Sequence, residues 1–397
     1  MSARWKPWLI EYPDYNRWYE NNCRSSMHTG REYARILYRL LNHIDHTPVS
    51  ITQLAEEDIR LVEKLLLDFI TEQDHSAAPS YLENYIKVIN SWLKFNYLSP
   101  VKNVKLRNKN HRPTLDTERV PDKDELKQIF NYAKPRGKVS ISFMAFSGVR
   151  PQVLGDLTGS DGLKLKDLPD MRIERDEVVF NEIPTRVDVR YELSKNNSRY
   201  TTFLGPEGCA YLKSYLEKRL ADGEVLSPES AIITYKKGYN ETGIEGLRES
   251  PHITTKTITK EIRDAFRPKY TWRPYVLRSY FDTQLLVAEN HGLISHPYRQ
   301  FFMGHKGNIE AVYTTNKGIL PEHVIEDMRS AYKKCLEYLE TEETKISEDA
   351  IQDTLRRQLL LVAGFSGEEI DEIDLDMSDD EFQEFAREKL VGVNLSN

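Results

Sequence analysis

Three cysteines are too few to hold this chain together. Cys23, Cys209 and Cys335 are scattered through 397 residues with no paired spacing. That excludes a disulfide framework and a cysteine-based zinc site, and it points to a reducing compartment, the cytoplasm. Apolar runs are also short. None approaches the roughly 20 residues needed to cross a bilayer, so no membrane partner is expected. The opening Met1-Ser2-Ala3-Arg4-Trp5 has no apolar signal core. No repeat recurs at a solenoid period. What remains is the composition of a globular protein, 39% hydrophobic and 29% charged, with length for two domains and an appendage.

A net charge of −7 argues at first against an anionic partner, but the charge is unevenly spread. Residues 341–397 carry about 16 acidic and about 5 basic side chains, roughly −11, which leaves about +4 on the rest. A mildly basic body with an acidic tail is compatible with nucleic acid without requiring it. The tail also holds an apolar run, Leu359 to Val362 with Phe365, and a possible helical face of Phe382, Phe385 and Leu390. Two readings stay open for it: a solvated, disordered tail, or a segment that folds back on its own domain or a neighbouring subunit and competes with an anionic partner.

Residues 1–99 read as helical. Tyr33, Ile36, Leu37, Leu40, Leu41 and Ile44 follow the three-to-four spacing of a buried stripe, as do Ile59, Val62, Leu65, Leu66 and Phe69. A third helix is expected from Ser80, capped by Ser80 and Glu83 and presenting Ile86, Ile89, Trp92 and Leu93. Three or four such helices make a small bundle. Residues 100–119 are poor in apolar side chains and carry Lys102, Lys105, Arg107, Lys109, Arg112 and Arg119. They read as a basic linker, placed to strap across a phosphate backbone.

A second domain is expected over 120–340, opening on a helix capped by Asp122 and Glu125. Short strands are expected at 177–180, 187–191 and 200–203, with Lys195-Asn196-Asn197-Ser198 as a turn between two of them. Helices resume after Pro206, residues 237–252 read as a loop, and Val324, Ile325, Met328, Ala331, Tyr332 and Leu336 mark a late helix. The fold class is therefore mainly α with a small β-sheet.

Three segments carry chemistry. They are Phe146-Ser147-Gly148-Val149-Arg150, then Tyr275-Val276-Leu277-Arg278, then Met303-Gly304-His305 with Tyr313 eight residues later. Two arginines bind a phosphate through planar forks that stay protonated, a histidine adds a hydrogen bond, and a tyrosine can attack phosphorus. Any one of these residues alone would pass for a surface or core side chain. Their order and separation give them weight.

Together these motifs resemble those of the tyrosine recombinases, the integrase family, and Met-Gly-His-Lys-Gly with Tyr-Thr-Thr-Asn-Lys resembles archaeal integrases in particular. The resemblance spans residues 146–313 and leaves the acidic tail unmatched. It implies a core-binding helical domain followed by an α+β catalytic domain. Arg150 and Arg278 would clamp the scissile phosphate, with His305 on a non-bridging oxygen. Lys195 would protonate the leaving 5′ oxygen, and Tyr313 would form a 3′-phosphotyrosine link. Double-stranded DNA would be the partner, with self-assembly into a dimer or tetramer on it and no need for a cofactor or metal. Two positions depart from the pattern: Tyr275 stands where the family usually has histidine, and Val153 where it often has an acid, for which Asp156 is a possible substitute. The competing readings are a recombinase-like regulator too weak to cleave and a type IB topoisomerase.

Overall fold

In the computed structural model the described residues are 4–74, 76–111, 118–175, 177–235, 251–305, 320–342 and Leu360. They divide into two compact units, 1–119 and 120–397. No helix among them is long and apolar enough to cross a membrane.

The first unit is helical: α1 (Trp8–Glu11), α2 (Pro13–Ser25), α3 (Met27–His43), α4 (Pro48–Gln73) and α5 (Pro79–Phe95). Its centre is aromatic. Trp18 and Trp92 meet edge to face with centroids 5.5 Å apart. Each indole N–H is satisfied by a hydroxyl, Trp18 by Ser91 at 3.1 Å and Trp92 by Thr52 at 3.1 Å, so their burial leaves no polar atom stranded. The expected cap at Ser80 is not formed. The helix starts one residue earlier, at Pro79, with Ala78 in the cap position and no side-chain cap bond. Proline already has a helical φ and no N–H to satisfy, so it opens the helix itself. Glu83 instead faces Lys87 and Lys109.

The start of the expected linker is part of this unit. Val101 is buried, Val104 and Leu106 pack on the core, and the Asn90 amide bonds both backbone groups of Val101. Sparse apolar residues at every second or third position dock this extended segment, a spacing that does not register as a stripe. Lys102 and Lys105 have exposed side chains. Arg107 pairs with Asp74 at 3.3 Å and Lys109 lies 3.7 Å from Glu83. Arg112 lies outside the described residues.

The second unit opens as its sequence indicates. The Asp122 carboxylate accepts from the Glu125 N–H at 2.8 Å, and the Glu125 carboxylate accepts from the Asp122 N–H at 3.1 Å. This capping box starts α6 (Lys123–Tyr132). Next comes α7 (Pro135–Phe146), buried without interruption from Val139 to Phe146. A helix apolar on all sides belongs at the centre of a core, and α8 (Pro151–Leu154), α9 (Pro206–Ala221), α10 (Thr255–Phe266) and α11 (Val276–Asn290) pack around it. The chain continues through α12 (His296–Phe302), α13 (Glu322–Lys334) and α14 (Leu336–Leu339).

Two antiparallel strand pairs lie between α8 and α9: β1 (Met171–Glu174) with β2 (Glu177–Phe180), and β3 (Thr185–Val189) with β4 (Tyr200–Leu204). The strand expected to reach residue 191 stops at Val189, because Tyr191–Leu193 forms a 3-10 turn. Most of the expected loop at 237–252 lies outside the described residues.

The last described turn is fixed by two buried carboxylates. Glu340 accepts the N–H of Glu207 at 2.9 Å, and Glu207 accepts the N–H groups of Thr341 and Glu342 at 2.7 and 3.2 Å. Leu360, further along, is also buried. Burial, then the neighbouring Glu207 and Glu342, pushes the Glu340 carboxyl up to about 7, against the N–H groups of Glu207 and Gly208. An unfolded glutamate releases its proton near about 4.3. Between those values the folded chain holds a proton that the unfolded chain does not, so stability falls as pH rises through the interval. Thermal unfolding at a series of pH values should therefore show Glu340→Gln gaining on the wild type as pH rises from about 4.3 to 7. Parallel pH profiles for the two proteins would remove Glu340 as the source.

Candidate active site

The turn after α7 presents the first arginine. Gly148 takes φ +64°, a conformation costly for any residue with a side chain, and a Cβ there would collide with the Phe281 ring. Arg150 follows as the N-cap of α8, extended at φ −78° and ψ 149°. Three carbonyls of this turn are each gripped by a different element. Phe146 O accepts from the Tyr332 hydroxyl at 2.6 Å, and Ser147 O from the Thr202 hydroxyl at 2.8 Å. Gly148 O accepts from Arg278 Nη1.

Arg278 lies in the first turn of α11 and is fully buried. Its second guanidinium nitrogen, Nη2, donates to Met303 O at the end of α12. One side chain thus joins the loop that carries Arg150 to the loop that carries His305. Arg278 Nε and Arg150 Nη1 are buried and donate to no protein atom among the described residues. Burial, and then the charge of Arg150, lowers the Arg278 pKa.

His305 follows Gly304, whose φ of +57° and close contact with the Tyr200 ring leave no space for a side chain. The half-buried imidazole sets Nδ1 2.9 Å from the Gln300 side-chain oxygen. Burial first, then Arg278 and Arg150, lower its pKa, so it is neutral at pH 7 when no anion is present. Arg150, Arg278 and His305 therefore share one electrostatic neighbourhood. Tyr275 is the N-cap of α11, half exposed, and its phenol acts on both Arg278 and Tyr200.

Lys195 is exposed in the connection between β3 and β4. Its neighbour Asn196 donates to Gly304 O at 2.9 Å, which fastens the lysine turn to the histidine loop. Tyr313 lies outside the described residues, as does Lys306. Asp156 does not support Arg150. Its carboxylate accepts from Thr158 and Ser160 within its own loop, and Val153 is buried in the core.

Three residues of this site carried no sequence signal: Tyr200, Gln300 and Asn196. Tyr200 reads as an ordinary strand tyrosine, and the other two act through contacts with distant or backbone atoms. Gly148→Ala and Gly304→Ala should each lower stability by about 1–3 kcal/mol through left-handed strain and overpacking. Denaturant midpoints within error of the wild type would show that both turns accommodate a Cβ.

No protein-family model and no curated protein matches the chain. Solved structures do resemble it. "Crystal structure of XerA recombinase" is 17% identical over 84% of this chain and 99% of that one, at a TM-score of 0.32. "Integrase from mycobacterium phage Brujita" is 14% identical over 86% and 96%, at 0.36. XerH site-specific recombinase bound to palindromic difH substrate, a post-cleavage complex, is 18% identical over 68% and 70%, at 0.37. Likenesses at scores this low carry no argument about fold or chemistry.

Proposed function

We propose that this chain is a site-specific tyrosine recombinase that cuts and rejoins double-stranded DNA through a 3′-phosphotyrosine. The observation that supports this reading is the cluster of Arg150, Arg278 and His305, in which two buried guanidinium nitrogens have no acceptor among the described residues. A phosphodiester supplies those acceptors. Its non-bridging oxygens take bidentate hydrogen bonds from guanidinium groups, in a site where few waters compete. With Gln300 accepting from Nδ1, the Nε2 of His305 is left for a phosphate oxygen, and the anion restores the proton affinity that the arginines suppress.

The reaction then balances with water as proton carrier. The Tyr313 hydroxyl loses its proton to solvent as its oxygen bonds to phosphorus, the phosphorus–O5′ bond breaks, and Lys195 gives a proton to the departing 5′ oxygen and regains one from solvent. The phosphodiester energy is kept in the tyrosyl link, so the reverse steps rejoin a strand without nucleotide or metal. Lys102, Lys105, Arg107, Lys109 and Arg112 would contact the DNA backbone and set the salt dependence of binding. Assembly into a dimer or tetramer on paired half-sites belongs to the same proposal.

Tyr313→Phe should abolish the covalent protein–DNA product on a nicked duplex while leaving DNA affinity largely intact. Trapping of the variant at wild-type levels would remove Tyr313 as nucleophile. Arg150→Ala should lower cleavage by about a hundredfold or more, as loss of a preorganised anion donor does; a loss of only a few-fold takes it out of the site. Lys195→Ala should be rescued by a substrate with a 5′-bridging sulfur, whose departure needs no proton. Failure of that rescue assigns the acid elsewhere. On random nicked duplexes, trapping at one sequence fits a recombinase, trapping at many fits a topoisomerase, and trapping at none fits a regulator.

A further inference from the structure

Among the described residues neither guanidinium of the cluster is neutralised. Among the described residues no carboxylate lies within ion-pair distance of Arg150 or Arg278, and the hydrogen-bond acceptors of Arg278 are two backbone carbonyls. Buried cations without a counter-charge need dipoles to hold and orient them. A side chain placed to supply one is that of Tyr200, the first residue of β4.

Its ring packs against Gly304, next to His305. Its hydroxyl is buried and close enough to Arg278 for each group to alter the proton affinity of the other, and Arg150 acts on it as well. The hydroxyl lies near the Arg278 guanidinium, but among the described residues it reaches no partner at ordinary hydrogen-bond geometry. Among the described residues, three buried polar atoms of one cluster are thus short of partners: Tyr200 Oη, Arg278 Nε and Arg150 Nη1. A phenol oxygen can accept from a guanidinium N–H while its own O–H donates onward. Burial raises the Tyr200 pKa, partly offset by Arg278 and Arg150, so it stays a neutral phenol near pH 7.

We propose that Tyr200 is a positioning residue for the two arginines, its hydroxyl orienting the Arg278 guanidinium toward phosphate without cancelling its charge, as a carboxylate would. A carboxylate in the same place would hold the arginine more tightly and weaken its pull on an anion. The phenol orients it and leaves the full positive charge for the phosphate. This inference rests on the recombinase reading above.

Tyr200→Phe tests it, because it removes one oxygen and keeps the ring on Gly304. The rate constant for covalent trapping on a nicked duplex should fall by about tenfold or more, the range for losing a hydrogen bond to a charged group. Affinity for the same duplex and the thermal midpoint should stay at wild-type values. In an Arg278→Lys background, which has no guanidinium to orient, the same substitution should cost less than about twofold, as residues acting through one another are non-additive. Wild-type trapping by Tyr200→Phe overturns the proposal. So does a parallel loss of stability, DNA affinity and trapping, which marks a packing role, or a full tenfold loss in the lysine background. If the wild-type protein itself forms no covalent product on any duplex, the recombinase reading fails instead, and the two failures are told apart by that control.

Discussion

The buried guanidinium of Arg278 is the constraint on which the site depends. Taking a cation wholly out of water is costly unless other dipoles replace the lost hydration. Here the replacement comes from Gly148 O and Met303 O, carbonyls just beyond the C-terminal ends of α7 and α12, where backbone dipoles favour positive charge. Meeting that requirement brings together two loops far apart in sequence. One displays Arg150 and the other His305. The bond that makes Arg278 tolerable inside the protein is also the one that assembles the cluster.

The electrostatics of the cluster follow from the same arrangement. Salt bridges elsewhere in this unit hold arginines by carboxylates: Arg299 by Asp282 and Glu289, Arg190 by Asp161 and Asp167, Arg329 by Asp170 and Glu326. Arg278 is treated differently, held by two backbone carbonyls, and among the described residues neither it nor Arg150 has a carboxylate partner. Burial first, and then like charges left to repel, lower the proton affinity of both Arg278 and His305. A site of this kind gains most from an anion, and the gain is larger where water is excluded.

Much of the scaffold was legible in the sequence because it is written in local patterns. The stripes of α3 and α4, the capping box at Asp122 and the turn between β3 and β4 depend on residues a few positions apart. Gly148 and Gly304 were visible as parts of motifs, and both occupy left-handed turns against an aromatic ring. Errors arose where a local rule met a stronger one. Pro79 pre-empted the cap at Ser80, and scattered valines and a leucine docked a segment whose basic character suggested a solvated strap. Tyr200, Gln300 and Asn196 were not legible because each matters through a partner that only the folded chain supplies. Val153 and Asp156 are the converse: the spacing raised a question about support for Arg150, and in the fold Val153 is buried in the core while Asp156 bonds within its own loop.

The three carbonyls after α7 have a consequence for how the protein reaches its native state. Their donors, Thr202, Arg278 and Tyr332, lie 55, 130 and 186 positions from the residues they grip. Closing contacts over such separations is slow, because chain entropy is spent before the contact rewards it. The turn that aims Arg150 is therefore set by contacts that α7 does not supply and needs β4, α11 and α13 in place. A chain lacking its final helices would keep the grips on Ser147 O and Gly148 O and lose the one on Phe146 O.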